Sequence, residues 1–314
     1  MREEIRSNRA TRERKLAICT GAASLPPEYR IEILAILAAD SEEIVRERAA
    51  GTLLTQPLAN VMAALARTDA APEMFAYCAA EFSRRPGVAD ALAKNPTCPI
   101  EVLRPVVRYL SVSAVQELFE DLDRLSTSPA LVTALVESAV VTSEQRNQLL
   151  ELQREEPEGM EAFLEAAEFA ELDPAKRQTL LQRISHLRVV ERVQMAMKGT
   201  REARSLLIRD PCRVVQRAVL LSPQLSDREI EGFAAMTALT EETLRLIAAN
   251  QKFRKNYTVK RALMNNPKTP ADVTLHLLPT ITPQDLKLLA TNKNIPDVLR
   301  AAANRLQRQR SGQG

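Results

Sequence analysis

A dense cluster of basic and aromatic side chains lies near the C-terminal end of the sequence. Within ten residues, five Lys or Arg and two aromatic residues occur together, in a chain whose aromatic content is only 4%. Cations grouped in this way bind phosphate or carboxylate groups, and a nearby aromatic ring can stack on a nucleobase. The sequence therefore predicts a partner-binding site, for an anion or an acidic protein surface, formed by Lys252, Phe253, Arg254, Lys255, Tyr257, Lys260 and Arg261.

The same cluster also has a purely structural interpretation. Arrays of helices commonly bury one aromatic residue per repeat, so Phe253 and Tyr257 could pack in the core while the cations stay solvated. The net charge of the whole chain is only +3, so the overall composition does not indicate a nucleic-acid-binding protein. The local excess of cations nevertheless keeps nucleic acid, a nucleotide or an acidic protein surface open as partners.

Glutamates with helical spacing form a second charged feature. Between Glu151 and Asp173, nine residues are acidic and only Arg154 is basic. A solvated helix face is the simple interpretation. The functional interpretation is a docking face for a basic partner, or for the basic end of this same chain. This acidic docking face consists of Glu155, Glu158, Glu161, Glu165 and Glu168.

Residues suited to catalysis are scarce and scattered. His186 and His276 are the only histidines, and none of the four cysteines lies within four positions of another. The sequence contains no G-x-S-x-G, no phosphate-binding loop and no H-E-x-x-H. We therefore predict no enzyme activity, no metal site and no cofactor, with the cysteines as free thiols.

The composition predicts a helical protein. Hydrophobic residues make up 45% of 314, charged residues make up 26%, and the chain has no Trp and only 8 Gly. Ala, Leu, Glu, Arg and Gln dominate, and all of them favour helices. No apolar run approaches the ~18–20 residues of a membrane span, and the charged N-terminus has no secretory signal. These features predict a cytoplasmic protein without a membrane span.

Internal repetition predicts how the helices are arranged. The segments that begin at Asn95 and Asn266 both read N-P-x-x-P-x-acid-V, and a related segment ends at Pro223. The step from Pro223 to Pro267 is 44 residues, and the step from Pro96 to Pro267 is 171, close to four such steps. Repeats of this length stack helix pairs side by side, because one amphipathic pair cannot bury its apolar face alone.

The repeat also resembles known helical-repeat families. The segment around Val45 and Arg46, in which an acidic residue precedes V-R-x-x-A, resembles the second helix of a HEAT repeat. The N-P-x-T-P segments resemble leucine-rich-repeat-variant proteins, which can carry an N-terminal cysteine cluster that this sequence does not have. The resemblance implies an all-α fold, a right-handed α-solenoid of HEAT-like helix pairs with a period near 43 residues.

Residues that typically begin or interrupt helices predict the domain layout and several helix starts. We expect an N-terminal capping helix over 1–25, helical repeat arrays over 26–153 and 154–306, and a basic flexible tail over 307–314. Ser226 begins a capping box, and Thr282 followed by Pro283 has the residues of a helix start. Thr269 followed by Pro270 repeats the second pattern.

The resulting prediction for function is a non-catalytic scaffold. Stacked helix pairs present an extended concave or edge surface that recognises a helix or an extended peptide of a protein partner. A nucleic-acid or nucleotide binder that uses the 251–261 segment is the alternative. DNA glycosylases with a HEAT architecture exist as well, but their clefts use aromatic residues that this chain largely lacks. The oligomeric state stays open.

Overall fold

The computed structural model describes residues 2–7, 9–154 and 174–311. Every regular element in these ranges is a helix and none is a strand, which confirms the predicted all-α class. Contacts between residues divide the chain into two units, Met1–Leu150 and Glu151–Gly314. In these described ranges, no helix combines the length and the apolar character that crossing a bilayer requires.

The first unit consists of short helices joined by tight turns. They are α1 (Arg2–Arg6), α2 (Arg12–Thr20), α3 (Pro27–Leu37), α4 (Glu43–Leu54), α5 (Leu58–Leu65), α6 (Pro72–Tyr77), a π-helical turn (Cys78–Phe82), α7 (Val88–Lys94), α8 (Ile100–Leu103), a 3-10 turn (Val107–Tyr109), α9 (Val112–Glu120), α10 (Leu122–Ser126), α11 (Pro129–Glu137) and α12 (Ser143–Leu152), whose last two residues belong to the second unit. Helix α3 packs on α1, α2, α4, α5 and α6, and α7 packs on α5 and α9.

The second unit continues in the same manner. Its helices are α13 (Pro174–Ser185), α14 (Val189–Lys198), α15 (Arg201–Leu207), α16 (Arg213–Leu221), α17 (Asp227–Ala235), α18 (Glu241–Ala249), α19 (Gln251–Lys255), α20 (Tyr257–Asn265), α21 (Ala271–Leu277), a 3-10 turn (Leu278–Thr280), α22 (Pro283–Thr291) and α23 (Asp297–Ser311). Helices α14, α16, α18, α20 and α22 pack in that order, each on the next of this row. Within each unit, the main contacts therefore join helices that are close along the chain.

Two of the predicted helix starts are confirmed and one is wrong. The Ser226 side chain accepts the Glu229 N–H and the Glu229 carboxylate accepts the Ser226 N–H, which is a complete capping box. Thr282 Oγ1 accepts the N–H of Asp285. Thr269 does not cap, because Pro270 is itself the residue before α21 and Thr269 Oγ1 has no hydrogen-bond partner. Helix α21 begins two residues after Thr269, whereas α22 begins one residue after Thr282. The first N–H groups of α21 are therefore out of reach of Thr269 Oγ1.

The ends of the chain also differ from the predicted layout. The first 25 residues contain two helices, α1 and α2, instead of one, and α2 ends at Gly21, whose φ of 83° suits a residue without a Cβ. Helix α23 continues to Ser311, where a flexible tail from 307 was predicted. Arg310 stabilises this last turn, since its guanidinium donates to the carbonyls of Ile281 and Pro279.

The asparagines of the two N-P segments each donate to carbonyls at the end of an earlier helix. Asn95 is buried, and its Nδ2 donates to the carbonyls of Leu65 (2.7 Å), the last residue of α5, and Arg67 (2.8 Å), just beyond the helix. Asn266 is buried in the same way and donates to Ala234 and Met236 at the end of α17. Each asparagine thus supplies a donor to carbonyls at a helix end, where partners within the helix are missing.

A second pair of equivalent positions consists of buried ion pairs. Asp40 accepts the Glu42 N–H and lies 2.8 Å from Lys15 Nζ, while Asp210 accepts the Cys212 N–H and lies 2.9 Å from Arg192 Nε. Asp40 and Asp210 are 170 positions apart, and Asn95 and Asn266 are 171 apart. Two unrelated contacts therefore recur at nearly the same offset in the two units.

Many arginines form hydrogen bonds with the C-terminal ends of helices. Their guanidinium groups donate to main-chain carbonyls at or near the C-terminal ends of preceding helices, which is where a cation also meets the negative end of the helix dipole. The arginines with this role include Arg30, Arg85, Arg124, Arg146 and Arg310. The high arginine content is thus explained partly by the short helices themselves.

Candidate binding surface

The predicted basic segment forms two short helices, α19 and the start of α20. Asn250 Oδ1 accepts the Lys252 N–H, and Asn256 Oδ1 accepts the Thr258 N–H, so an asparagine caps each helix. Asn256 also donates to Glu231 Oε1 at 2.8 Å, which ties the junction of the two helices to α17. The backbone that carries the cations is therefore fixed at both helix starts.

The two aromatic residues of the segment are engaged inside the fold. Phe253 is only 7% exposed and belongs to the hydrophobic core. The Tyr257 hydroxyl donates to Asp285 Oδ2 at 2.5 Å and accepts the N–H of Thr282 at 3.1 Å. Phe253 is too deeply buried to stack on a base, and the half-buried Tyr257 is held in place by its hydroxyl, so both side chains have a structural role in this arrangement.

Arg261 joins the same junction. Its Nε lies 3.4 Å from Asp285 Oδ1, and the Asp285 side chain is 16% exposed. The Asp285 carboxylate thus accepts hydrogen bonds from the Tyr257 and Thr282 hydroxyls and pairs with the Arg261 guanidinium. Asp285 also lies in the first turn of α22, where the helix dipole favours a negative charge. This cluster links α20 to α22.

Replacing Tyr257 by phenylalanine tests this structural role. We expect the free energy of unfolding to fall by about 1–2 kcal/mol, because Asp285 loses a donor while the ring is kept. Urea unfolding followed by far-UV circular dichroism measures the change. Tyr29→Phe is the matched control, since the Tyr29 ring lies under the Arg67 guanidinium at 3.7 Å and the variant keeps that contact. A stable Tyr257→Phe protein that binds its partner less well would contradict the structural role.

Four cations of the segment remain for binding. Lys252 and Lys255 are exposed, and Arg254 and Lys260 are half-buried. In the described part of the chain, none of these four lies within 4.0 Å of a carboxylate oxygen. Unpaired cations on a fixed backbone attract an anionic partner without first breaking an internal ion pair.

Arg254 also lines a groove of about 450 Å³ between α18, α19 and α21. The floor is apolar, and Arg245 and Asp272 form a bidentate pair at the groove, with Nη2 and Oδ1 2.8 Å apart. The hydrogen bond from Arg245 lowers the pKa of Asp272, so this carboxylate stays ionised. The lining residues are Arg245, Ala248, Ala249, Arg254, Asp272, Val273, His276 and Leu277.

Sequence reasoning missed Arg245, Asp272 and His276 as members of this groove. His276, one of the two histidines of the sequence, is exposed and lines the groove together with Arg254. The three residues come from two helices about 30 positions apart, and no local spacing connects them. The acidic docking face predicted at Glu155, Glu158, Glu161, Glu165 and Glu168 lies outside the described residues and stays a prediction.

The thiols are poorly suited to chemistry. Burial raises the pKa of Cys78, Cys98 and Cys212 to about 12, so these thiols stay protonated at neutral pH. Across ranges 2–7, 9–154 and 174–311, no three His, Cys, Asp or Glu side chains are grouped so that they could hold a metal ion.

Comparisons of this chain with protein-family models, with curated proteins and with solved structures found no match, so the surface must be interpreted from its own geometry.

Proposed function

We propose that this chain is a non-catalytic scaffold that binds an acidic segment of a protein partner. The proposed architecture is a right-handed α-solenoid of HEAT-like helix pairs with a period near 43 residues. It is supported by helices that pack in chain order and by the contacts of Asp40 and Asn95 recurring at Asp210 and Asn266. Stacking of this kind exposes one long row of helix faces, which suits a helix or an extended peptide.

The observation that carries the proposal is that α19 holds three cations without carboxylate partners, one of which, Arg254, lines a groove with an apolar floor. Lys252 and Lys255 project from α19, and Arg254 enters the groove from the same helix. Elsewhere in this unit Arg204 and Arg192 are buried against carboxylates, and Arg300 and Arg310 donate to helix ends. Among the described residues, the side chains of Lys252, Arg254 and Lys255 on α19 make no such contact with a carboxylate or a helix end.

The exposed lysines and the groove contribute to recognition in different ways. Exposed lysines steer an acidic partner toward the surface and set the salt dependence of association. Arg254 can hold a carboxylate with two parallel hydrogen bonds, while the floor formed by Ala248, Ala249 and Val273 takes an apolar side chain next to it. A peptide that alternates acidic and apolar residues along one face fits this groove.

Charge reversal on α19 tests the proposal. The full-length chain carrying Lys252→Glu and Lys255→Glu serves as bait in extract of its native cells, in parallel with the unaltered chain. We expect capture of the partner to fall by about tenfold or more, since both steering charges change sign. An Arg254→Ala bait, which removes only the groove cation, is expected to lose capture as well.

Arg201→Glu with Arg228→Glu is the matched control. Both arginines are exposed and lie in first helical turns of the same unit, where a glutamate is compatible with the helix dipole. This bait should capture the partner as the unaltered chain does. Equal capture by the α19 variants would remove the proposed site. Capture that disappears after nuclease treatment would replace the protein partner by nucleic acid, the alternative partner.

The cytoplasmic location inferred from the sequence stays a prediction.

A further inference from the structure

A second groove, of about 450 Å³, lies in the first unit and shares no residue with the groove lined by Arg254. It runs between the helix that ends in the π-helical turn and the segment containing α8 and the following 3-10 turn. One part is lined by small and apolar side chains and the other by two arginines and a tyrosine. The lining residues are Ala76, Ala79, Ala80, Ser83, Arg84, Val102, Pro105, Arg108 and Tyr109.

The polar part of this groove is built around the Tyr109 hydroxyl. Arg84 Nε donates to Tyr109 Oη at 3.2 Å, and the Arg108 guanidinium lies 4.8 Å from the centre of the Tyr109 ring. The hydrogen bond from Arg84 lowers the pKa of Tyr109, which reflects the positive charge concentrated here. An adjoining groove of about 410 Å³ shares Arg108 and adds Arg104 together with Glu137.

Arg84 and Arg108 are exposed, and their contacts differ from those of Arg67 and Arg85 in the same unit. Arg85 donates to the Leu54 carbonyl and stacks on Phe82, while Arg67 pairs with Glu32. Neither Arg84 nor Arg108 has a carboxylate within 4.0 Å among the described residues, and neither donates to a helix end there. The two guanidinium groups therefore face the groove with most of their donors unused.

The backbone of the groove is unusual as well. Ala79 and Ala80 lie within the π-helical turn Cys78–Phe82, and Arg84 lies two residues after its end. A π-helical turn is less stable than a regular α-helical one, and such turns occur frequently at functional sites. Here Ala79 and Ala80 line the groove, where Ala80 is exposed and Ala79 is buried, while Cys78 and Phe82 lie in the core.

We propose that this groove binds a small organic phosphate with a flat apolar body. The phosphate oxygens accept hydrogen bonds from Arg84 and Arg108, whose planar guanidinium groups match phosphate geometry better than lysines do. Tyr109 supplies its hydroxyl at the same point, and the apolar body of the ligand lies on Ala79, Ala80 and Val102. The volume is in the range of small-ligand sites. The site is independent of the α19 surface.

Isothermal titration calorimetry on the full chain tests this site, with phenyl phosphate as the probe and inorganic phosphate and phenol as its two components. We expect phenyl phosphate to bind about tenfold more tightly than inorganic phosphate, because only the aryl ester also fills the apolar part. Arg84→Gln and Arg108→Gln are each expected to weaken phenyl phosphate binding by about tenfold or more.

Arg48→Gln is the matched control, since Arg48 is an exposed arginine of α4 in the same unit and does not line the groove. Circular dichroism confirms that each variant keeps its helical content. Binding that is unchanged in both groove variants would overturn the site, as would a dissociation constant for phenyl phosphate above about 10 mM. Equal affinity for phenyl phosphate and inorganic phosphate would overturn the ligand class.

Discussion

Replacement of Arg192 by leucine is expected to lower the free energy of unfolding of the second unit by about 3–5 kcal/mol. Arg192 is fully buried, and its Nε lies 2.9 Å from Asp210 Oδ2, with a further hydrogen bond from Nη2 to Oδ1 at 3.2 Å. Leucine fills much of the space but leaves the Asp210 carboxylate buried without a counter-charge. Urea unfolding followed by far-UV circular dichroism measures the loss.

The pH dependence of the Arg192→Leu variant gives a second readout. Burial raises the pKa of Asp210 to about 6 even with Arg192 in place, and loss of the arginine raises it further. A carboxyl whose pKa is higher in the folded state than in the unfolded state destabilises the protein as pH rises through the folded value. The deficit relative to the unaltered chain should therefore be smaller at pH ~5 than at pH ~8.

A double replacement separates the unpaired charge from lost packing. Arg192→Leu with Asp210→Asn removes both charges and keeps an oxygen that accepts the Cys212 N–H, so most of the lost stability should return. Arg213→Gln is the control, because the Arg213–Glu242 pair in the same unit is largely exposed and is worth less than about 1 kcal/mol. A loss from Arg192→Leu no larger than that of the control would contradict the buried pair.

Replacement of Asn266 by alanine is expected to cost about 2–4 kcal/mol of unfolding free energy. Asn266 Nδ2 donates to the carbonyls of Ala234 and Met236, both at 3.0 Å, and its Oδ1 accepts the Lys268 N–H at 3.1 Å. Alanine leaves two main-chain carbonyls at the end of α17 without this donor, in a place where Asn266 is only 3% exposed. Chemical unfolding gives the total loss, and hydrogen exchange resolved by peptide should show the α17 end opening first.

Asn265→Ala is the matched control for Asn266. The two asparagines are neighbours, but Asn265 is exposed. It donates to the Arg261 carbonyl within its own helix and accepts from the Asn292 side chain at 3.1 Å, so its loss should change stability by less than about 1 kcal/mol. Asn95→Ala should reproduce the Asn266 result in the first unit, since Asn95 makes the same contacts with Leu65 and Arg67. Equal effects of Asn265→Ala and Asn266→Ala would show that the two carbonyls do not depend on Asn266.

Helix starts show where prediction from sequence works and where it fails. The capping box at Ser226 and the start at Thr282 are confirmed, because each depends on hydrogen bonds within four residues. Thr269 has the same Thr-Pro pair as Thr282, but its helix begins one residue later, after Pro270. The dipeptide alone does not say which of its two residues precedes the helix.

The candidate sites show a similar division. The sequence located the basic segment at 251–261, and it missed the Arg84, Arg108 and Tyr109 groove entirely. No local signal distinguished Arg84 from Arg85, although Arg85 donates to the Leu54 carbonyl and Arg84 faces the groove. Neighbouring arginines differ in role because their partners lie 25 or more positions away along the chain.

The sequence by itself determined that the described chain is helical and where several helices start, because composition, propensity and capping act within a few residues. It also showed that Asn95 and Asn266 occupy equivalent positions, without showing what they do. Only the tertiary structure decided that Asn95 and Asn266 donate hydrogen bonds to carbonyls at the ends of earlier helices. It also decided that Tyr257 and Arg261 contact Asp285, and which of the described cations have no carboxylate partner. Those roles depend on carbonyls and carboxylates that folding brings together from distant parts of the chain.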